Sequence, residues 1–478
     1  MDRRRRPGPS DGRRGGPGPP RRLPRCAAGR DVTDARNVAA WRTPQGTTVP
    51  GNRWDLLDGV DAAAVSVSVV VPYYRQQNQL SMVLAALERQ DFPRDRLEVI
   101  VADDGSPEPP QVECGIPVTV VTQEDRGFRA AAARNLGAAA ATGNVLCFLD
   151  ADTVPEPGYV RALVRLPSLI PDALTVGRRR HADLTALGRL PEPGDPLLDE
   201  PGWLLDAYRG SRNLLDADDR SYRHVISAVM CCRRTFFDEV GGFDKSFTSY
   251  GGEDWELANR AWLAGAVLAH VPTAVAWHDG PDWAGRPDDR RRDAKNGEAM
   301  ALAPLVTDPA ARRHGVRYAV PDVTAVVHSE GHTAASLMVT VGSILRHGDV
   351  TVWVDGAEAS SFVGTWGIDD PRVRVGSPTA ADTARSRFAV EVGGRAVFGE
   401  TAFELLAGVG AGGSVRCTLP DGAFVVHETW RARRRARRWA PALGVDDGTA
   451  LGLLFGSHTV DGHAVDATTG PLRPDLSW

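Results

Sequence analysis

The chain has 478 residues with a formal net charge of −5, which is too long for one ordinary hydrophobic core and too acidic overall to suggest a nucleic-acid partner. It has no run of eighteen apolar residues, so no membrane-spanning helix is expected. Cys26, Cys114, Cys147, Cys231, Cys232 and Cys417 make no CxxC pair and no metal spacing, and the vicinal Cys231-Cys232 reads as two small buried hydrophobes. Nearly all the basic residues are arginine, with lysine only at 245 and 295, a bias from which no function follows.

Residues 1 to about 30 are Arg, Pro and Gly with few apolar side chains, and they are expected to be disordered. The Arg3 to Arg6 run has no apolar segment behind it, which points to the cytoplasm rather than to export. Such a run is ordinarily a solvated tail, although it suits an anionic membrane surface. Trp41 and Trp54 suggest that 31–60 packs on the domain behind it, so 1–60 is set apart as tail and extension.

A β-branched strand is expected over Val65 to Val71, ended by Pro72. Leu80, Val83, Leu84 and Leu87 then recur at helical spacing. A second strand, Leu97 to Ala102, ends in Asp103-Asp104-Gly105-Ser106. A third candidate is Val118 to Thr122, followed by an Ala-rich helix from Ala130 to Ala141. The next apolar run, Val145 to Leu149, leads straight into Asp150-Ala151-Asp152. Acids at strand ends in an α/β order place a ligand site at the carboxyl edge of a sheet. Two carboxylates one residue apart suit a hard divalent cation, Mg²⁺ or Mn²⁺, although Asp152 or Thr153 could equally cap a helix. No GxGxxG or GxxxxGK[ST] is present, so neither a dinucleotide fold nor a P-loop is supported.

In that order VVVPYYRQ, ADDGS, EDRGFRAAAARNLGAAAATG and LCFLDADT resemble the family-2-type nucleotide-sugar glycosyltransferases of the GT-A fold. Residues 227 to 279, with their GGED box and following histidine, are similar to the galactosyltransferase-type C-terminal half. The resemblance covers about 65 to 280 and implies a Rossmann-like mixed sheet. It implies that Asp152 binds the metal, that Asp150 holds the ribose or the metal's water, and that His278 is a third ligand. It also implies that Asp103 and Asp104 contact uracil and ribose, with Pro72 and Tyr73 lining the base pocket beside Ala151. Of Arg126, Arg129 and Arg134, one or two should meet the diphosphate or hold the Asp150–Asp152 loop, and the sequence does not choose among them. Asp254 is then the general base, Glu253 binds the acceptor, Gly252 permits close approach and Trp255 offers a stacking face. Both acids would also suit the first turn of a helix. Asp279 is a candidate to orient the His278 ring.

Residues 181–222 read as a surface excursion near the acceptor side, and 280–298 as a charged linker or active-site lid. The first domain is thus assigned to 61–300 and a linker to 301–317. A smaller α/β domain at 318–478 looks like a possible degenerate copy, in which SVRCTLPDG, with Pro420 and Gly422, stands where LCFLDADT should recur. The Arg431 to Arg438 run reads as a solvated helix face or an anionic-surface contact.

The expected activity is metal-dependent, inverting transfer of a hexosyl or N-acetylhexosaminyl unit from a UDP-sugar, as in polysaccharide synthesis. The acceptor is a glycan, a lipid-linked molecule or a small molecule, and the setting is cytoplasmic, with peripheral contact at the inner membrane face as an option. The alternative is a non-catalytic sugar-nucleotide or glycan-binding protein on the same fold.

Overall fold

The computed structural model describes residues 39–249, 251–281, 288–312, 316–410 and 412–477. The Arg3 to Arg6 run lies outside them.

The first sheet contains β1 (Val67–Tyr73), β2 (Leu97–Asp103), β3 (Val118–Thr122), β4 (Val145–Leu149), β5 (Thr153–Pro155), β6 (Ala173–Ala182), β7 (Val229–Arg233) and β8 (Val267–Asp279). Their spatial order is β3-β2-β1-β4-β7-β6-β8-β5. β1 to β4 run parallel, β7 is antiparallel to both β4 and β6, and β8 is parallel to β6 and antiparallel to the short β5. Every residue of β4 is buried, because helices cover both faces there, and this is why its sequence is continuously apolar rather than alternating. α1 (Gln77–Glu88) buries Leu80, Val83, Leu84 and Leu87 against the sheet. α2 (Ala130–Ala140) is Ala-rich for a steric reason. A Cβ on its Gly137 would sit 2.5 Å from Val70 Cγ1, so only small residues allow the helix this close to β1 and β2.

Residues 39–60 pack at the base of this sheet. Val49 and Leu57 are buried beside Leu166 and Ile170 of the following helix, α3 (Tyr159–Leu169), and its flank. Asn52 bridges Leu214 O (2.5 Å) and Leu268 O (2.8 Å).

The second sheet contains β9 (Val323–His328), β10 (Val350–Asp355), β11 (Val373–Val375), β12 (Phe388–Gly393), β14 (Ser414–Thr418), β15 (Phe424–Thr429) and β16 (Ser457–Asp461). Between β12 and β14 lies β13 (Ala396–Phe398), which pairs antiparallel with β17 (Ala467–Thr469) just after β16. The order, β11-β10-β9-β12-β15-β14-β16, repeats the first sheet strand for strand, each label raised by eight, with every parallel or antiparallel sense preserved. Even β5, which follows the Asp150–Asp152 loop and pairs with the end of β8, has its equivalent in β13.

This topology corrects the alignment read from sequence. SVRCT is β14, the counterpart of β6, so Pro420 and Gly422 do not stand where the two acids stand. The counterpart of β4 is β12, and the end of β12 and the turn into β13 carry Gly393-Gly394-Arg395 in place of Asp150-Ala151-Asp152. The alternation in FAVEVGG, with Glu391 inside it, left no apolar run to mark this strand.

The stretch assigned to a linker is packed: Val306, Thr307, Asp308 and Arg312 are buried. Arg387 pairs with Asp322 (2.6 Å) and Asp219 (3.0 Å), and Arg385 pairs with Glu256 (2.5 Å), so ion pairs cross between the halves.

The Arg431 to Arg438 run is also packed rather than solvated. α7, as the helix Trp430–Leu443 is labelled here after α4 (Glu253–Leu263), α5 (Asp288–Leu302) and α6 (Ala334–Leu345), is neither solvated nor a free basic face. Arg431 and Arg435 are buried against the first half. Arg431 lies 3.7 Å over the Trp262 ring and donates to Ala266 O (3.2 Å), and burial pushes its pKa down to about 9. Arg434 donates to Leu263 O (3.1 Å) and Thr383 O (2.6 Å). Asp172, fully buried, accepts from Arg435 (3.1 Å), Arg438 (3.3 Å) and Trp439 (2.8 Å) through one oxygen. Its pKa is lowered, the paired guanidiniums outweighing its burial. Gly265, at φ +97°, leaves the room the helix needs, since a Cβ there would meet Arg435 Cβ at 2.5 Å. The membrane contact expected of this run therefore loses its basis: Arg433 and Arg437 face outward, and each pairs with an acid, Glu428 and Asp447.

Removing one member of a buried ion cluster leaves uncompensated charge, at a cost of ~3–5 kcal/mol. Asp172→Ala should therefore lower the urea midpoint strongly, whereas Arg437→Ala should change stability by no more than ~0.5 kcal/mol. Equal effects of the two substitutions in urea denaturation would contradict the clasp.

Candidate functional site

A cleft of about 1130 Å³ opens at the carboxyl ends of β1 and β4 and is closed on the other side by the start of α4. Pro72, Tyr73 and Asp104 line one end, Asp150, Ala151 and Asp152 the floor, and Gly252, Glu253, Asp254 and Trp255 the far wall. The floor exists because β4 ends at Leu149 and the chain must turn at once into β5. The turn is held by Thr153 N–H donating to Asp150 O (3.0 Å). The far wall exists because Gly251 and Gly252 adopt φ +97° and +95°, left-handed backbone in which a side chain is strained. A Cβ on Gly252 would also lie 2.9 Å from the Phe247 ring.

Arg134, buried on α2, ties floor to wall: its guanidinium donates to Asp150 (2.8 Å) and Glu253 (3.0 Å). Both acids raise its pKa against the opposing effect of burial. Glu253 Oε2 has no hydrogen-bond partner among the described residues. Asp254 accepts the N–H of Trp255 (2.8 Å) and, at 3.4 Å, that of Ser227. Its pKa is pushed up to about 7, first by burial and then by the neighbouring Glu253, with Arg134 opposing.

Asp152 lies 3.6 Å from His278 Nε2, because Thr153 and His278 are paired across β5 and β8. Burial raises the Asp152 pKa and His278 opposes the shift. His278 Nδ1 lies 3.1 Å from Gly280 O. A carbonyl can only accept, so Nδ1 donates there, and Nε2 is the ring nitrogen left facing the Asp152 carboxylate.

Several expected members stand elsewhere. Asp103 is buried and accepts the N–H of Ser106 (3.0 Å), away from the cleft. Arg126 is exposed on Glu124 (2.6 Å), and Arg129 folds back onto the Glu124 carbonyl and Asp104. Neither lines the cleft, so of the three arginines it is Arg134 that holds the acid loop. Asp104 reaches the cleft with its oxygens engaged by Gln123 (2.5 Å) and Arg129 N–H (2.7 Å). Asp279 bonds Thr185 (2.6 Å) rather than His278, whose orienting partner is the Gly280 carbonyl. Among the described residues no three Asp, Glu, His or Cys side chains converge as a preformed metal cage, and Asp150 is turned to Arg134.

Other members had no motif to announce them. Gln76 Nε2 reaches Asp152 (3.4 Å) from the bend before α1. Trp203, from the excursion before the second half of the sheet, stands edge-on to Trp255 with centroids 6.5 Å apart. Lys295 of α5 pairs with Glu298 (2.7 Å) and sits 5.6 Å above the Trp255 ring. Being one of two lysines in an arginine-rich chain was the one signal it gave.

The strand order and the acid-bearing turn after β4 define a GT-A fold. Residues 68–230 match the description Glycosyl transferase family 2, and residues 217–276 match N-terminal domain of galactosyltransferase. This segment is a family-2-type glycosyltransferase domain with a galactosyltransferase-type second half. Among curated relatives, chondroitin synthase of Escherichia coli is 28% identical over 240 residues, covering 45% of this chain and 35% of that protein. Validoxylamine A glucosyltransferase of Streptomyces hygroscopicus subsp. limoneus is 30% identical over 232 residues, covering 44% and 51%. The chain thus spans about a third to a half of the length of these relatives. A mannosyltransferase from Pyrobaculum calidifontis, solved with GDP-Man and Mn²⁺, is 19% identical at a TM-score of 0.37, covering 56% of this chain and 68% of that one.

A raised carboxyl pKa makes a group stabilising in its protonated form. That contribution is full below the unfolded value of about 3.9 and is lost as pH rises through about 7. Asp254→Asn should therefore melt above the wild type at about pH 8, by ~2–4 °C for each kcal/mol relieved, and converge with it near pH 4. Scanning calorimetry at the two pH values checks this, and a lower Tm at pH 8 would contradict it.

Proposed function

We propose that the chain transfers a sugar from a nucleotide-diphosphate donor, with UDP the favoured carrier, to an acceptor hydroxyl, with inversion at the anomeric carbon. Residues 61–300 form the catalytic unit and 318–478 a companion domain. One observation carries the reading: a carboxylate poised near neutrality, Asp254, shares one cleft with the acid loop after β4. A base with a pKa near the working pH is best matched to removing a hydroxyl proton as the oxygen attacks. A single such group on the wall opposite the floor suits single displacement.

The residues present fit a divalent cation. The Asp152 carboxylate stands 3.6 Å from His278 Nε2, the ring nitrogen not engaged by the Gly280 carbonyl, which brings an oxygen and a nitrogen ligand atom together. A hard or borderline divalent ion accepts both donor types, and the remaining positions would fall to diphosphate oxygens and water. When bound, such a cation would supply the positive charge that a leaving diphosphate requires. Asp150 acts here through Arg134 as a brace for the loop. Glu253, with one oxygen held by Arg134 and the other free of partners among the described residues, is left to receive an acceptor hydroxyl. Trp255 and Trp203 give the acceptor ring an apolar wall. Pro72, Tyr73 and Asp104 border the end of the cleft assigned to the base of the nucleotide.

One relative is named for making chondroitin and another for glucosylating validoxylamine A, so the acceptor is proposed only as a hydroxyl-bearing glycan, lipid-linked molecule or small molecule. A panel of UDP-sugars with Mn²⁺, read as UDP release, tests the reaction. Absence of release with every donor and acceptor pair would remove the proposal.

Two variants test the roles. Asp254→Asn should lower kcat ~10²–10⁴-fold with donor affinity nearly unchanged, and in the wild type kcat/KM should fall as pH drops below about 7, a limb absent from the variant. Retention of more than about a tenth of kcat would place the proton elsewhere. Asp152→Asn should abolish the Mn²⁺-dependent part of UDP binding in calorimetry while circular dichroism is unchanged. Undiminished binding would sink the ligand assignment.

A further inference from the structure

The second sheet has a pocket of its own, about 580 Å³, at the carboxyl ends of β9 and β10. By the strand equivalence this is the place where β1 and β2 open into the catalytic cleft. Its chemistry is different. In the counterparts of Asp150 and Asp152 stand Gly393 and Arg395, and opposite β13 the place of His278 is taken by Thr469, which pairs with Ala396 as His278 pairs with Thr153. Arg395 is turned away to Gly470 O (3.0 Å) and Asp421 (3.1 Å). Among the described residues the pocket lining contains no arginine or lysine. His332 lines it too, but burial lowers its pKa and its ring nitrogens are engaged by Ser336 Oγ (3.2 Å) and Gly394 O (3.0 Å), so no side-chain cation is set to neutralise a diphosphate.

What the pocket does present is an aromatic face and hydrogen-bond acceptors. Trp366 is 60% exposed, an unusual state for a tryptophan with no structural need to meet solvent. Glu330 and Glu358, both exposed, border the same space. Ser329 lines it from beneath: the residue is 2% exposed, and its hydroxyl has no hydrogen-bond partner among the described residues. A buried hydroxyl without a partner costs free energy that a ligand hydroxyl would recover. Gly356 keeps this corner open, because a Cβ there would lie 2.4 Å from Ser329 Oγ and 2.5 Å from Glu330 Oε1.

We propose that this pocket binds one unit of a neutral saccharide without acting on it. The sugar ring stacks on Trp366, its hydroxyls donate to Glu330 and Glu358, and one reaches Ser329. The polar groups and the aromatic face match a polyhydroxylated ring with C–H groups on one side, and two carboxylates without a cation disfavour phosphate and uronate alike. The companion domain thereby becomes a holding site for a glycan. This inference does not depend on which donor the catalytic cleft uses.

The full chain is titrated by calorimetry and saturation-transfer NMR with maltohexaose, cellohexaose and chitohexaose, and separately with UDP. At least one hexasaccharide should bind, and Trp366→Ala should weaken it ~10-fold or more, as loss of a principal stacking residue does. The Glu330→Gln/Glu358→Gln double variant should weaken it too, while Asp152→Asn leaves it unchanged. Wild-type UDP binding should survive Trp366→Ala. Binding of none of the three hexasaccharides would overturn the proposal, as would binding indifferent to Trp366. Loss of UDP binding in Trp366→Ala would overturn it in favour of a second nucleotide site. Because Trp366 is exposed, its removal should leave Tm within about a degree, so lost binding is not lost fold.

Discussion

The geometry of the catalytic cleft depends on one buried guanidinium. Arg134 joins an acid from the turn after β4 to an acid more than a hundred residues later at the start of α4. Neither pairing is optional in energetic terms, because a buried arginine without acids, or these acids without the arginine, would leave uncompensated charge in a poorly solvated place. The arginine reaches both from α2, which packs on β1 and β2 so tightly at Gly137 that a Cβ there would lie 2.5 Å from Val70 Cγ1. Local composition therefore sets a helix-to-sheet distance, and the distance fixes where two acids stand. The pKa of the third acid follows: Asp254 sits beside Glu253, whose charge is only partly neutralised, and is pushed upward for that reason as well as by burial.

Arginine solves a second problem in the same molecule. α7 carries Arg431, Arg434, Arg435 and Arg438 into the interface between the two sheets, where they meet carbonyl oxygens, an aromatic ring or Asp172. A planar fork with five donors can satisfy several fixed acceptors at once, and its charge survives burial better than that of an ammonium. The bias toward arginine, uninformative as composition, is consistent with such use. The same geometry explains why a helix with a strongly basic sequence does not present a basic surface.

Much of the first sheet was legible because its signals were local. Val145 to Leu149 was recognisable as a buried strand from its unbroken apolarity, and the observed strand has those bounds. Val118 to Thr122 was likewise recovered. The glycosyltransferase segment was legible because its motifs follow one another in order. What escaped was whatever depended on a distant partner. Nothing in RARRRARR tells that Asp172 waits for it, and Asp279 looked like the orienting group for His278 only because it is adjacent in sequence. Arg126 and Arg129 flank the same glycine, yet short-range pairing with Glu124 draws both away from the cleft, while Arg134, farther along α2, is turned inward by helical periodicity. β12 was missed because one half-buried acid, Glu391, breaks its apolar run and a Gly-Gly pair ends it.

The two sheets show how little of a fold is spent on its chemistry. They share strand order, strand sense and even the short strand after the fourth, so the backbone brings equivalent turns to equivalent places in both. In one, the turn carries Asp150 and Asp152, a histidine faces Asp152, and a buried arginine braces Asp150. In the other, the same turn carries two glycines and an arginine, and threonine stands opposite. Two carboxylates that close must be balanced by a cation, and the first sheet supplies part of that balance through α2. Removing the acids removes the requirement, which frees the equivalent helix from carrying a buried charge. The counterpart of α2, the single helical turn Ala380–Thr383 that precedes β12, accordingly carries no arginine or lysine within it. Loss of the acid turn and loss of the bracing arginine are thus one change viewed from two elements, because either feature alone would be destabilising.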